Sequence, residues 1–333
     1  MRLRRTGISG LAIAITLICT IFASQARPAA AATAQVRLAV LKFGTVSWVL
    51  DVIKHHGLDR DLGFELIVRP YAGTLATKVA LQAGAADIIV SDWLWVSRRR
   101  RSGTDLVFHP YSTAVGAIMV PATSTIRSLA DLKGKAIGVA GGPLDKSWLI
   151  LNAFAEEQTG LDLRKATQPV FGAPPLLAQK TEQGELDAVL NYWHYCARLE
   201  AKGMRRLIEV QTAARGLGAS ADIPMIGYVF TAAWAKANPA LARAFLQATE
   251  RANNLLMTSD AEWERLRPLM RVKSGATWRV LRDRYREGIP DAASANSERD
   301  VSRLFTILAR IGGDKLVGSG TELAPGTFWT GSQ

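Results

Sequence analysis

A repeated ten-residue unit constrains the fold of this chain more than any other feature. The copies are Gly84–Trp93 and Gly184–Trp193, and each reads glycine, two residues, aspartate, three apolar residues, a small polar residue, one more residue and tryptophan. A glycine in this position ends a helix, and the short apolar run after it is typical of a strand buried on both faces. The repeat therefore predicts two similar α/β lobes.

The ends of the two repeated strands predict where a ligand would lie. Ser91 and Asn191 close the apolar runs, and Trp93 and Trp193 follow two positions later. Ligands of open α/β sheets bind at the carboxyl ends of the strands. We therefore expect the two tryptophans to face each other across a shared cleft. In the alternative interpretation, the aspartates are turn residues that lead into the strands and both tryptophans belong to the core.

The N-terminal segment predicts export. Three arginines precede an apolar run over residues 8–23, and the small residues Ala32-Thr33-Ala34 provide a cleavage site before Gln35. As a helix this run would span about 24 Å, less than the ~30 Å hydrocarbon core of a bilayer. Residues 1–34 are therefore predicted to be a signal peptide that is cleaved near Ala34. The general and the twin-arginine export routes both remain open.

Charge and cysteine content exclude some classes of partner and crosslink. The formal charge is +12, and without the arginines of the signal segment 37 basic residues still face 29 acidic ones. No recognition helix, zinc-finger spacing or aromatic RNA-binding motif accompanies this excess, so no nucleic-acid partner is expected. Removal of Cys19 would leave Cys196 alone, which predicts a buried free thiol and no disulfide.

The order of predicted elements gives an α/β chain with two crossings between lobes. A length of 333 residues exceeds what one ordinary core accommodates. Strands and helices alternate up to Pro121, where the chain is expected to change lobes, and it is expected to return near Pro224. The predicted limits are 35–118 and 226–333 for lobe 1 and 119–225 for lobe 2, with a helical C-terminal region.

Four segments carry a resemblance to a known family: Ser128–Val139 with its leucine–lysine–glycine–lysine stretch, Gly84–Ser91, Gly184–Asn191 and Asn238-Pro239. On these segments the chain resembles a periplasmic solute-binding protein of an ABC importer, in the nitrate/sulfonate/taurine and thiamine-pyrimidine-precursor (NMT1-like) group. The resemblance implies a type II-like, two-lobed periplasmic-binding-protein fold. It also implies a periplasmic monomer without a cofactor that closes over a small molecule and then docks on a membrane permease.

The binding positions implied by the resemblance are loops at strand ends. In the first lobe the candidates are Phe43, Thr45, Trp48, Gly73, Thr74, Ser91, Asp92 and Trp93. In the second lobe they are Gly141, Gly142, Asp145, Lys146, Asn191, Tyr192 and Trp193.

The residue types in these loops leave the charge of the solute open. Backbone N–H groups at Gly141-Gly142, with Lys146 at the following helix start, suit an anion. The clustered tryptophans suit a ring or an apolar group, and Asp92 and Asp145 either balance a cation or cap helices. The expected solute is therefore a sulfonate-like anion or a ring-containing compound.

No catalytic or metal pattern accompanies these loops. The four histidines show no zinc-binding spacing, and no Ser-His-Asp or paired-carboxylate arrangement is evident. We therefore expect a binding protein and neither an enzyme nor a metalloprotein. A periplasmic enzyme on the same fold and a ligand-sensing module for a receptor are the alternatives.

Overall fold

A computed structural model describes residues 33–42, 44–291 and 298–331. Phe43 and nearly all of the predicted signal segment lie outside the described residues. The first strand begins at Ala34, the residue near which cleavage is expected. No helix within the described ranges combines the length and the apolar character that a membrane crossing requires.

Ten strands form two sheets of five. The first sheet contains β1 (Ala34–Leu41), β2 (Phe64–Tyr71), β3 (Ile88–Ser91), β4 (Leu106–Ser112) and β10 (Ile226–Thr231), in the order β2-β1-β3-β10-β4. The second contains β5 (Gly116–Val120), β6 (Ala136–Ala140), β7 (Gln168–Gly172), β8 (Ala188–Tyr192) and β9 (Arg205–Glu209), in the order β7-β6-β8-β5-β9. The two sheets have the same topology, and we refer to each with its flanking helices as a lobe.

Helices cover the sheets and form the C-terminal region. Within the described residues, nine α-helices precede β10: α1 (Val46–His56), α2 (Leu58–Asp61), α3 (Thr74–Gln82), α4 (Trp93–Arg101), α5 (Lys146–Thr159), α6 (Leu163–Ala166), α7 (Pro174–Glu182), α8 (Trp193–Glu200) and α9 (Val210–Gly216). Five of those described follow it: α10 (Ala232–Ala237), α11 (Pro239–Thr258), α12 (Asp260–Met270), α13 (Gly275–Glu287) and α14 (Glu298–Val317). The two-lobed α/β fold with a helical C-terminal region is thereby confirmed.

The position of β5 differs from the expectation. The predicted limit between residues 118 and 119 falls inside this strand, and the lobe change was expected at Pro121. In the structure β5 pairs antiparallel with β8 and β9, so the whole strand belongs to the second sheet. The chain therefore leaves the first sheet after Ser112. A purely local pattern cannot show this, because the apolar sequence of β5 suits the centre of either sheet.

The aspartates of the repeat extend the parallel strand pairing. The Asp87 N–H donates to the Arg37 carbonyl at 2.8 Å, and Asp87 Oδ2 accepts from the Arg37 N–H at 2.8 Å. Asp187 makes the same pair of bonds with Ala136, at 2.9 and 2.8 Å. Each aspartate thus fixes its strand against the first strand of its lobe, which supports the interpretation as turn residues.

Substituting Asp87 with alanine is expected to lower the free energy of unfolding by about 1–3 kcal/mol, because Asp87 also binds the Arg37 guanidinium and its loss leaves polar groups without partners. Urea denaturation measures this change. Asp61→Ala, on the exposed surface, is the control and should change stability by less than about 0.5 kcal/mol. Equal effects of the two substitutions would contradict the role given to Asp87.

The C-terminal helices connect the two lobes. Helix α14 packs against both α4 and α5, and α13 packs against α8. Between α13 and α8, Arg284 Nη2 lies 2.6 Å from Glu200 Oε1. The conformation described is therefore one in which the second lobe is held against helices that follow β10.

Candidate functional site

The starts of α3, α4 and α5 lie at strand ends, where ligands of such sheets bind. Two of these starts are capped by aspartate: Asp92 Oδ1 accepts from the Trp95 N–H at 2.8 Å, and Asp145 Oδ1 accepts from the Ser147 N–H at 2.9 Å. Both carboxylates therefore use one oxygen to satisfy a helix start. Gly73, in extended conformation, is the N-cap of α3.

The pKa of Lys78 in α3 is affected by charged groups of both lobes. Its ammonium group lies 4.6 Å from the centre of the Trp95 ring. Burial lowers the pKa of Lys78, the Asp92 charge opposes this change, and repulsion from Arg98 and from Lys146 of α5 adds to it. Two ammonium groups from opposite lobes thus lie close enough to repel each other. In the described part of the chain, neither lysine forms an ion pair with a carboxylate.

Gly141, Asp145 and Tyr192 form the second-lobe side of this region. Gly141 has φ = 91°, and a Cβ there would lie 2.4 Å from Asp145 Oδ2 and 3.0 Å from the Tyr192 hydroxyl. Burial and the neighbouring Asp145 charge raise the pKa of Tyr192 to about 12, so the phenol stays protonated and able to donate a hydrogen bond. Burial also raises the pKa of Asp145, against the opposing effect of Lys146. We call Lys78, Asp92, Lys146, Asp145 and Tyr192 the strand-end site.

Exposed apolar side chains lie near the ends of β2 and β7, which take equivalent places in the two sheets. Leu75, at the start of α3, is 76% exposed, and Phe171 and Leu176 beside the start of α7 are 42% and 49% exposed. Large apolar side chains with such exposure can bury the apolar part of a ligand. The strand ends therefore offer both positive charge and apolar surface.

The two repeated tryptophans do not face each other, so that prediction is wrong. Trp93 is fully buried and its ring packs 6.5 Å from Phe305 of α14. Trp193 is 6% exposed and packs edge-on against Trp48, with ring centroids 6.0 Å apart. They belong to separate apolar clusters, one of which also includes Trp263. The physical reason is that helices far along the chain supply better apolar partners than an open cleft would.

The structure places the other candidates as follows. Ser91 and Asn191 are buried at their strand ends, and Asn191 uses its amide locally: Nδ2 donates to the Pro174 carbonyl and Oδ1 accepts from the Tyr192 N–H, both at 2.9 Å. Thr45 is half-buried just before α1, close to the Tyr111 hydroxyl. Thr74 is exposed, and Gly142 is half-buried in a left-handed turn.

Sequence reasoning missed Lys78. A signal for Lys78 was present, because it follows Thr74 by four positions and so lies on the same helix face as that strand-end residue. Nothing local shows that α5 of the other lobe approaches this face. The tertiary arrangement alone makes Lys78 a site residue.

The remaining groups with possible reactive or metal-binding chemistry are the Cys196 thiol and a cluster of two histidines and a glutamate. Cys196 is a free, buried thiol, as predicted, and burial raises its pKa to about 11. Within the described ranges, His55, His56 and Glu262 bring possible metal-ligand atoms within 4.8 Å of one another. His56 Nε2 already lies 2.9 Å from a Glu262 oxygen as an ion pair or hydrogen bond.

Two half-buried histidines predict an acid-sensitive fold. Burial lowers the pKa of His109, and burial with the Arg198 charge lowers that of His194, each from 6.5 to about 4. Both are then neutral when folded but protonated when unfolded between those pH values. The free energy of unfolding is therefore highest above pH 6.5 as far as these histidines determine it, and it falls as the pH falls toward 4.

Between pH 7 and 4.5, each of these histidines should lower the free energy of unfolding by about 2 kcal/mol. Urea denaturation of wild type and of His194→Asn at both pH values measures the difference. The variant should lose about 2 kcal/mol less than wild type over this range. An identical loss in both proteins would show that His194 is protonated in the folded state.

Comparison with known proteins identifies the family. The model of the NMT1/THI5-like family matches residues 52–262, more than half of the chain, so this protein belongs to that family. No curated protein sequence matches the chain.

Solved structures share the fold at low sequence identity. The aliphatic sulphonate-binding protein SsuA of Escherichia coli is 19% identical with a TM-score of 0.71, and 90% of this chain and 93% of that one are covered. The alkanesulfonate-binding protein SsuA of Xanthomonas axonopodis pv. citri, bound to MOPS, is 20% identical with a TM-score of 0.66 and coverages of 89% and 98%. The desulfurization enzyme DSZB is 16% identical with a TM-score of 0.55 and coverages of 85% and 96%.

Proposed function

We propose that this protein is the exported solute-binding component of an ABC importer and that its lobes close over a small organic sulfonate at the strand-end site. The observation that carries the proposal is that Lys78 and Lys146 belong to opposite lobes, that the Lys146 charge adds to the lowering of the Lys78 pKa, and that neither forms an ion pair with a carboxylate among the described residues. A bound anion between them would replace repulsion by two attractions. Closure of the lobes is then coupled to binding.

The remaining residues of the site suit the two ends of such a solute. The protonated Tyr192 hydroxyl can donate to a sulfonate oxygen, and sulfonates stay ionised throughout the physiological pH range. Leu75, Phe171 and Leu176 provide apolar surface for an alkyl or ring substituent. Both structural relatives named for sulfonate binding share this fold over nearly their whole length.

An enzyme is the second candidate, because a desulfurization enzyme shares the fold. The described residues of the strand-end site include no thiol, histidine or serine that is paired with a base. Among the described residues the one thiol is that of Cys196, which is buried and has a pKa of about 11, so it is a poor nucleophile. We therefore propose that the protein binds its solute unchanged, acts as a periplasmic monomer and delivers the solute to a membrane permease.

A thermal-shift series tests the proposal. Pentane-1-sulfonate at 100 times its dissociation constant should stabilise the protein by about 2.7 kcal/mol, whereas pentan-1-ol should leave the melting temperature unchanged because it lacks the anionic group. Mass spectrometry of the recovered sulfonate checks that it is not cleaved. Stabilisation by the alcohol alone, or release of sulfite, would contradict the proposed function.

A further inference from the structure

Three side chains that can bind a metal meet where α1 ends and α12 begins. His55 and His56 are the last two residues of α1, and Glu262 lies in the first turn of α12. One donor atom from each residue lies within 4.8 Å of the other two. Two imidazoles and a carboxylate form a ligand set that divalent transition metals accept in proteins. The sequence did not predict a metal because Glu262 comes from a distant segment of the chain.

Packing between the two helices holds these donors near each other. The Trp48 ring of α1 and the Trp263 ring of α12 pack edge-on with centroids 5.7 Å apart, and Trp263 is fully buried. Because Trp263 directly follows Glu262, the backbone that carries this carboxylate is held against α1. A metal therefore meets donors that are already positioned, which reduces the entropic cost of binding.

The Glu262 carboxylate does not bind its usual local partner. Ser259 caps α12 by accepting from the Glu262 N–H, and in this Ser-x-x-Glu spacing the carboxylate commonly accepts from the serine N–H in return. Here the Ser259 N–H donates to the Leu255 carbonyl at 2.8 Å. Arg265 binds Glu262 Oε2, whereas Glu262 Oε1 lies 2.9 Å from His56 Nε2. One carboxylate oxygen is therefore directed at the histidines.

The distances between the donors suit a tetrahedral metal with little rearrangement. Bonds of about 2.0–2.1 Å at tetrahedral angles place two donor atoms about 3.3 Å apart. The distance of 2.9 Å between His56 and Glu262 is close to this value, and a separation at the 4.8 Å limit needs to shorten by about 1.5 Å. His55 is exposed, so its ring is free to rotate into place. Three protein donors leave the fourth position open to water.

The charge around the donors favours a cation. Beside the histidines, the Asp59 carboxylate binds the Lys54 ammonium group at 2.8 Å. Arg265 is shared between Asp51 and Glu262. The three carboxylates and two cations of these ion pairs leave one net negative charge. The two histidines also lie in the last turn of α1, where the negative end of the helix dipole attracts positive charge, and Glu262 offsets the positive end of α12.

We propose that His55, His56 and Glu262 form a binding site for a divalent transition metal such as Zn²⁺, with water in the remaining position. The metal links the end of α1 to the start of α12. The site is separate from the strand-end site, because α1 begins just after β1 and its 11 residues span about 15 Å before the histidines are reached.

Isothermal titration calorimetry with zinc chloride tests this proposal, on protein that carries no histidine tag and has been stripped with EDTA and dialysed. One zinc ion should bind per chain, and a large excess of magnesium should not displace it, because magnesium prefers oxygen ligands. His55→Ala removes an exposed ligand and should weaken zinc binding by at least about tenfold. Glu264→Gln, which changes an exposed carboxylate on the same helix, is the matched control and should bind zinc like wild type.

Glu262→Gln tests the ligand from the second helix and should also weaken zinc binding by at least about tenfold. Zinc should raise the melting temperature of wild type more than that of either ligand variant, because only the folded chain brings the two helices together. Lys78→Met/Lys146→Met should bind zinc normally, so the result does not depend on the sulfonate proposal. Absence of zinc binding at millimolar concentration, or wild-type zinc affinity in His55→Ala or Glu262→Gln, would overturn the proposal.

Discussion

Replacing Lys78 and Lys146 together with methionine is expected to raise the dissociation constant for pentane-1-sulfonate by about 100-fold or more. A hydrogen bond to a charged group contributes about 1.5–3 kcal/mol, and the double variant removes two such groups. Methionine keeps an unbranched side chain of similar length, so packing changes little. Each single variant should lose about tenfold or more, and calorimetry on the purified protein measures all three constants.

The unliganded protein gives a second readout of the same lysines. Burial and repulsion lower the pKa of Lys78, so its charged form is unfavourable in the folded protein. Lys78→Met should therefore raise the melting temperature without solute while weakening sulfonate binding. Lys236→Met, on the exposed surface of α10, is the control and should change neither quantity. Wild-type affinity in the double variant would remove the lysines from the site.

Substituting Trp93 with alanine is expected to lower the free energy of unfolding by about 3–5 kcal/mol, the usual cost of truncating a large buried aromatic side chain. Trp93 is fully buried against Phe305, so the substitution leaves a cavity between α4 and α14. Sulfonate affinity of the folded fraction should stay within about threefold of wild type, because the ring does not reach the strand-end site. Urea denaturation and calorimetry measure the two quantities.

Trp93→Phe is the matched control. It keeps most of the ring volume and removes an indole N–H that has no partner among the described residues, so it should cost less than about 1.5 kcal/mol. The role assigned to Trp93 would be contradicted if Trp93→Ala kept wild-type stability and lost sulfonate binding. That outcome would restore the ligand-binding role that the repeat suggests.

The repeat explains why the fold class could be predicted from the sequence. A helix stop, an aspartate and an apolar strand are local signals, and Asp87 and Asp187 indeed make equivalent bonds in the two lobes. The position of β5 was harder, because strand pairing across the two crossings is not encoded in any one segment. The antiparallel strand of each sheet can lie, in the sequence, before or after the point where the chain crosses between lobes.

The candidate site was predictable only in part. Lys146, Asp145 and Tyr192 lie where the strand-end rule places them, since that rule depends on topology. Trp93 and Trp193 were misplaced because their partners, Phe305 and Trp48, come from other parts of the chain. A buried aromatic ring and a ligand-stacking ring have the same sequence signature, and only tertiary packing distinguishes them.

The most direct test of the sulfonate site is a crystal structure of the protein with pentane-1-sulfonate. We predict that the sulfonate oxygens lie within hydrogen-bonding distance of the Lys78 and Lys146 ammonium groups, with the alkyl chain directed toward Leu75 and Leu176. A sulfonate bound elsewhere, or one that contacts neither lysine, would contradict the account.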